Sequence, residues 1–339
     1  MMDEKAASET APLLSGKESP LWQHYRPDGS IGLPQTIAHR GFKKHFPENT
    51  MEAFKGAIEA GSHALETDLH LSRDGVVVIS HDATLKRCFG VDEYIINCDW
   101  EYLSTLRTLR APHARMPRLI DLLEYLASPG LEDVWLLLDI KLDNDANMIM
   151  KRIAETVQMV SPGRRPWHER IVLGCWASNY FPLCAELLPD FPTALICFNV
   201  YSARRILNTV PGVSFNIFQK VLMGPLGYRF LEDARAANRL VFVWTVNQPR
   251  LMRWCIRRGV DGVITDDPET FRRICDRWDA EGLDEKHRDE DRVTLTQQVQ
   301  LVLIALFVVL FGWTFKYRHL RLQRLIVEDS MKQGYPKTQ

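Results

Sequence analysis

Between residues 36 and 275 the chain alternates short, almost wholly apolar runs with stretches of helical periodicity. That alternation limits the fold more than any other feature. The apolar runs are Thr36–Arg40, Ala64–His70, Val134–Ile140, Arg170–Trp176, Thr193–Phe198, Val213–Phe218, Leu240–Val246 and Asp261–Thr265. Their apolar character is continuous rather than alternating, as expected for strands buried on both faces of a parallel sheet. Helical patterns fill the gaps. Asn49 with Glu52 predicts a capping-box start, Met51, Phe54 and Ile58 supply an apolar face, and Gly61 ends it. Leu119, Leu122, Leu123 and Leu126 repeat the same stripe. Eight strands with intervening helices in about 240 residues match the size of a (β/α)8 TIM barrel, an α/β fold. A further β-like run, Val76–Ser80, follows the second strand across the turn signal Asp74-Gly75. With the residues up to about 118 it reads as a small insertion. A doubly wound sheet lacks support, because no glycine-rich phosphate loop follows any of the strands.

Composition removes several classes of function. The 42 Lys and Arg against 43 Asp and Glu give a net charge of -1 over 339 residues, which argues against nucleic acid as a main partner. The seven cysteines form no CxxC pair and read as reduced core thiols rather than a disulfide framework or zinc site.

The ends differ from the middle. Residues 1–35 read as a flexible arm without the basic start and apolar run of a secretory signal. After the barrel region 36–278, residues 279–292 form a charged linker. Val293 to Phe315 are then 23 uncharged residues with a dense apolar run at 301–313. At the helical rise they would extend about 34 Å, enough for a hydrocarbon core of about 30 Å. This segment is expected to be a membrane-anchor helix, followed by a basic tail, 316–339. Glutamines in its first third leave a hairpin or interfacial insertion open, and either would keep both flanks on one side. The expected arrangement is a cytosol-facing barrel on the endoplasmic reticulum, a lipid droplet or the mitochondrial surface.

In such a barrel the chemistry belongs at the C-terminal ends of the strands. Those ends carry His39-Arg40, Glu66 with Asp68, and Asp139 with Lys141, while the added hairpin ends at His81-Asp82. Residues two apart on a strand share a face, so Glu66 and Asp68 point the same way. Inward-facing carboxylates in an apolar strand repel unless a cation joins them. His70 shares that face and reads as a packed neighbour. Three carboxylates, two imidazoles, one Arg and one Lys on one rim describe a site for a hard divalent metal and phosphodiester chemistry. Trp244 and Asn247 end the seventh barrel strand and Asp266 follows the eighth, so all three are candidates for the pocket wall, with Trp176 a weaker one.

The blocks IAHRGFKKHFPENTMEAFKGAIEAG, ALETDLHLSRDGVVVISHD and LLLDIK resemble the signature of the glycerophosphodiester phosphodiesterase family, from residue 36 to about 275. The resemblance implies a TIM barrel with an insertion after strand two. It implies His39 and His81 as the acid/base pair, and Glu66, Asp68 and Asp139 as ligands of a divalent metal, Mg²⁺ or Ca²⁺. Arg40 and Lys141 would hold the phosphate. Asp139 departs from the Glu that most members carry, by one methylene. The later blocks RPWHERIVLGCW, VFVWTVNQP and DGVITDDP are similar to the fungal phosphatidylglycerol-specific phospholipase C group. That similarity implies a phospholipid substrate, phosphatidylglycerol, cleaved to diacylglycerol and glycerol phosphate at a membrane. Lysophospholipase D or glycerophosphodiester phosphodiesterase chemistry is the alternative, and an inactive lipid-binding barrel a minor one.

Overall fold

The computed structural model describes residues 32–278. Eight parallel strands close on one another: β1 (Gln35–His39), β2 (Ala64–Leu71), β4 (Trp135–Ile140), β5 (Ile171–Cys175), β6 (Thr193–Cys197), β7 (Ser214–Phe218), β8 (Val241–Trp244) and β9 (Gly262–Thr265). Closure comes from β1, which pairs with both β2 and β9. The short β3 (Val77–Ile79) pairs antiparallel with the end of β2 and opens the insertion. Each expected strand is present to within two residues at either end.

The helices are α1 (Met51–Glu59), α2 (Lys86–Phe89) and α3 (Trp100–Leu103) of the insertion, α4 (Leu119–Leu126), α5 (Ala146–Met159), α6 (Tyr180–Leu187), α7 (Val200–Thr209), α8 (Pro225–Ala236), α9 (Pro249–Arg258) and α10 (Pro268–Arg277). The leucine stripe of α4 is fully buried, and each such side chain contributes about 1.5–3 kcal/mol by leaving water. Inside the barrel, alternate residues fill the lower half: Ile37, Ala64, Trp135, Leu137, Val172 and Phe242 belong to one buried cluster. Trp135 spans the closure, donating from Nε1 to Gln35 Oε1 at 2.5 Å. This packed floor leaves room for chemistry only at the C-terminal end of the strands.

The insertion has its own small core of Val78, Leu85, Ile95, Cys98, Leu103 and Met116. It is tied over the β1–α1 loop by Arg110, which donates to the carbonyls of Lys43, Lys44 and Phe46.

One local expectation is corrected. The N-cap of α1 is Thr50, whose hydroxyl accepts from Ala53 N, and not Asn49. Asn49 sits at φ +56° with its amide turned to the barrel instead, so tertiary hydrogen bonds outbid the capping role. Among the described residues no helix is long and apolar enough to cross a membrane. The expected anchor 293–315, its linker and the basic tail lie outside the described residues, as does the arm up to residue 31.

Candidate active site

Strand register assembles the site. His39 stands beside Glu66 in the β1–β2 pairing, and Asp68 beside Asp139 in the β2–β4 pairing. Since alternate side chains enter the barrel, the neighbouring strands carry Ile37 then His39, Ala64 then Glu66 and Asp68, and Leu137 then Asp139 from floor to mouth. Glu66, Asp68 and Asp139 are all buried, and each places a carboxylate oxygen within 4.8 Å of the others. After His39 the chain must leave the barrel at once. Arg40 and Gly41 do this with φ +58° and +81°. A Cβ on Gly41 would lie 2.6 Å from the Ala53 backbone, so a side chain has no room there.

The two cations expected to hold phosphate lie among these carboxylates. Lys141 Nζ is 2.7 Å from Asp139 Oδ2 and 2.7 Å from Asp68 Oδ1. Arg40 reaches Asp68 Oδ2 at 3.1 Å through Nε and Glu48 Oε1 at 2.9 Å through Nη1. Asn49 donates to Asp68 Oδ2 at 2.8 Å and accepts from the Thr67 hydroxyl.

The charge states follow from this geometry. Burial, then repulsion from Asp68 and Asp139, pushes the Glu66 carboxyl well above the ordinary carboxylate range. Burial opposes the Asp68 charge too, but Lys141 and Arg40 outweigh it and hold that carboxyl well below the range. Two carboxyls two residues apart are thus driven in opposite directions. A third charge is needed to ionise all three acids together. An all-oxygen donor set of this kind fits a hard divalent cation such as Mg²⁺ or Ca²⁺.

A test follows that does not depend on turnover. In metal-free protein the raised Glu66 pKa means that its ionised form opposes folding above the unfolded-state pKa. Glu66→Gln should therefore leave the metal-free Tm unchanged or raise it by about 2–4 °C. It should also abolish the rise in Tm that Mg²⁺ or Ca²⁺ gives the wild-type protein. Calorimetry with and without chelator measures both, and a large fall in Tm would assign Glu66 a structural role instead.

Each imidazole has its own carboxylate. His39 Nδ1 lies 2.6 Å from Asp266 Oδ1, which turns Nε2 away from that bond. Asp266 is itself fixed by Asn247, whose amide donates to Oδ2 at 2.8 Å and whose carbonyl accepts from the Asp266 N–H. Burial opposes the charge on Asp266, yet His39 and the nearby Lys43 draw its pKa down to about 2. Burial lowers the His39 pKa, and the Asp266 bond offsets part of that effect. His81 Nδ1 pairs with Asp82 Oδ1 at 2.8 Å, and a hydrogen bond from the Ser80 N–H to the Asp68 carbonyl seats this hairpin end beside the carboxylates. Burial lowers the His81 pKa as well; Asp68 opposes this, while Lys141 and Arg40 add to it.

The structure therefore brings His39, Arg40, Glu66, Asp68, His81, Asp139 and Lys141 to one end of the barrel. Asp266 and Asn247, expected only as wall residues, form the bracket that orients His39. Trp244 stands in a wall of half-buried aromatic rings with Trp176, Phe198 and Phe218. It lies 5.8 Å from Trp176 and 5.4 Å from Phe218, and Trp176 lies 6.3 Å from Phe198. Several contacts of the site carry no local signal in the sequence. Trp176 Nε1 donates to Asp139 Oδ1 at 2.7 Å. Arg87 of the insertion binds both Asp82 and Glu48, linking the His81 pair to the Arg40 network. His70, read as packing, donates from Nε2 to the His81 carbonyl at 3.2 Å and faces Asp143.

The chain matches the Glycerophosphoryl diester phosphodiesterase family over residues 39–270. It is 27% identical over 248 residues to a glycerophosphodiester phosphodiesterase of Caldanaerobacter subterraneus subsp. tengcongensis, covering 69% of this chain and 95% of that one. It is 26% identical over 283 residues to a lysophospholipase D of Homo sapiens, covering 73% of this chain and 88% of the relative. In fold it is similar to an Oleispira antarctica phosphodiesterase solved with the product sn-glycerol-3-phosphate. The TM-score is 0.63 at 23% identity, over 72% of this chain and 97% of that one. Barrel, paired imidazoles and carboxylate cluster agree with the match that spans them, and the chain belongs to the glycerophosphoryl diester phosphodiesterase family, a family of phosphoric diester hydrolases.

Proposed function

We propose that the protein hydrolyses membrane glycerophospholipids, with phosphatidylglycerol as the substrate and diacylglycerol and glycerol phosphate as products. The observation that carries this reading is the aromatic wall. Trp176 belongs both to that wall and to the carboxylate cluster, through its bond to Asp139. A site for a charged diester thus has an apolar side, which suits a substrate that is half lipid.

A bound divalent cation would neutralise charge at the diester and polarise an oxygen donor there. The remaining work falls to the side chains. Arg40 and Lys141 present positive charge to the non-bridging phosphate oxygens. His39, with Nδ1 held by Asp266, takes the proton of the headgroup glycerol 2-hydroxyl at Nε2. That hydroxyl attacks phosphorus, the bond to the diacylglycerol oxygen breaks, and His81 supplies the proton to the leaving oxygen. Water then opens the cyclic glycerol phosphate with the two imidazoles in reversed roles.

The choice of lipid rests on where a free hydroxyl lies. Phosphatidylglycerol has one in its headgroup, whereas phosphatidylcholine and phosphatidylethanolamine have none beside the phosphate. In a lysophospholipid the acylglycerol hydroxyl attacks instead and expels the headgroup. The likeness to the human lysophospholipase D favours this as the second reading. The apolar segment 293–315 supports a membrane location, and the seven free cysteines support a barrel facing the cytosol on the endoplasmic reticulum, a lipid droplet or the mitochondrial surface.

Purified full-length protein should convert phosphatidylglycerol to diacylglycerol, identified by mass spectrometry, and leave phosphatidylcholine and phosphatidylethanolamine nearly intact. Release of headgroups from lysophospholipids with phosphatidylglycerol untouched would establish the second reading in its place.

A further inference from the structure

Single exposed apolar side chains are ordinary, and what matters is whether they gather. Tyr201 is 88% exposed and Leu226 70%, and both are the second residue of their helix, α7 and α8. Met148, exposed as well, is the third residue of α5. In a parallel barrel each helix begins at the end where the strands finish, so all three stand around the mouth of the site. Met159, at the far end of α5, is exposed at the opposite pole.

Tyr201 and Leu226 also lie on the helices that follow the two wall strands β6 and β7. Phe218 closes β7 just before the turn that leads into α8, and Phe198 lies between β6 and α7. The two most exposed apolar positions of this end thus begin the helices reached directly from Phe198 and Phe218. Exposed Lys220 and Arg229 flank Leu226 in the same loop and helix start, a basic setting suited to anionic headgroups.

We propose that the rim made by the starts of α7 and α8 is the part of the barrel that enters a phospholipid surface, with Tyr201 and Leu226 leading. A lipid then reaches the carboxylates along the aromatic wall without passing through bulk water. This rests on the lipid-substrate reading above for its occupant. The apolar rim, its basic flanks and the apolar segment elsewhere in the chain all favour a membrane over a protein partner.

The test uses full-length protein with an environment-sensitive fluorophore at Leu226→Cys in a Cys88→Ser background, since Cys88 is the one cysteine not buried. Vesicles of phosphatidylglycerol and phosphatidylcholine should blue-shift and brighten this label, but not the same label at Met159→Cys. Equal behaviour at the two positions would overturn the proposal, because the whole chain is then at the membrane without this face entering it. In parallel, Tyr201→Ser with Leu226→Ser should slow hydrolysis of phosphatidylglycerol in vesicles by about tenfold. Turnover of water-soluble glycerophosphoglycerol should stay within about twofold, well under the loss expected from burying apolar area. A matching fall on both substrates, or on neither, would also overturn it. If vesicle lipid is never cleaved while soluble diesters are, the substrate reading fails, and the fluorescence comparison still decides the rim.

Discussion

His39→Ala is expected to lower kcat on phosphatidylglycerol by about 10²–10⁴-fold, with KM changed far less, because general acid–base transfer contributes to the transition state and hardly to binding. The imidazole sits on a strand end with its Nδ1 committed to Asp266, so only Nε2 is free to exchange a proton with substrate. Asp266→Asn should cost less, about 10²-fold, since the ring remains while its tautomer and orientation are no longer enforced. The pH profile separates positioning from simple structural damage. Asp266 raises the His39 pKa against the lowering effect of burial. Its removal should move the acid limb of kcat/KM to lower pH, because a base of lower pKa stays deprotonated further into acid. Asp266→Glu should restore part of the rate and part of the shift. A loss of activity with an unmoved acid limb would show that His39 is not the base that limits that side of the profile.

Much of this architecture is legible along the chain, and the reason is local. Continuous apolar runs such as Trp135–Ile140 leave a strand no solvent face, so the carboxylates at their ends must converge once the barrel closes. The i, i+2 spacing of Glu66 and Asp68 fixes their common face through the pleat alone. The bracket on His39 is different. Asp266 lies 227 residues away in sequence, and only the β1–β9 pairing brings the two together. The Trp176 bond to Asp139 and the Arg87 bonds to Glu48 and Asp82 likewise depend on closure and on how the insertion folds over the β1–α1 loop. Asn49 shows the limit of a local rule. Its place before a helix with Glu52 at N3 fits a capping box, yet Asp68 and Thr67 hold its amide and the cap passes to Thr50.

The carboxylate cluster and the two imidazole pairs respond to different demands, which explains why neither alone specifies the substrate. Lys141 and Arg40 already lie against Asp68, so on the proposed reading a phosphate would meet cations held in place by acids rather than mobile side chains. Such preorganisation acts on any diester that fits. Discrimination must then come from the attacking group and from the wall.

An analogue of phosphatidylglycerol with the headgroup 2-hydroxyl replaced by hydrogen therefore provides the largest expected effect. It keeps the charge, the acyl chains and nearly the same volume, so it should still occupy the site and compete with phosphatidylglycerol. What it lacks is the nucleophile. A correctly placed intramolecular hydroxyl has an effective molarity of about 10⁵–10⁸ M. Its loss should put hydrolysis below detection, while the analogue's inhibition constant stays near the KM of the parent lipid. Diacylglycerol release, followed by mass spectrometry at equal lipid fraction in mixed micelles, measures the rate directly. If the analogue reacts at a rate comparable to phosphatidylglycerol, no cyclic phosphate forms and the proton that His39 removes comes from water. Phosphatidylcholine would then be excluded by the wall and rim and not by its missing hydroxyl, and replacing Trp244 with alanine should begin to admit it.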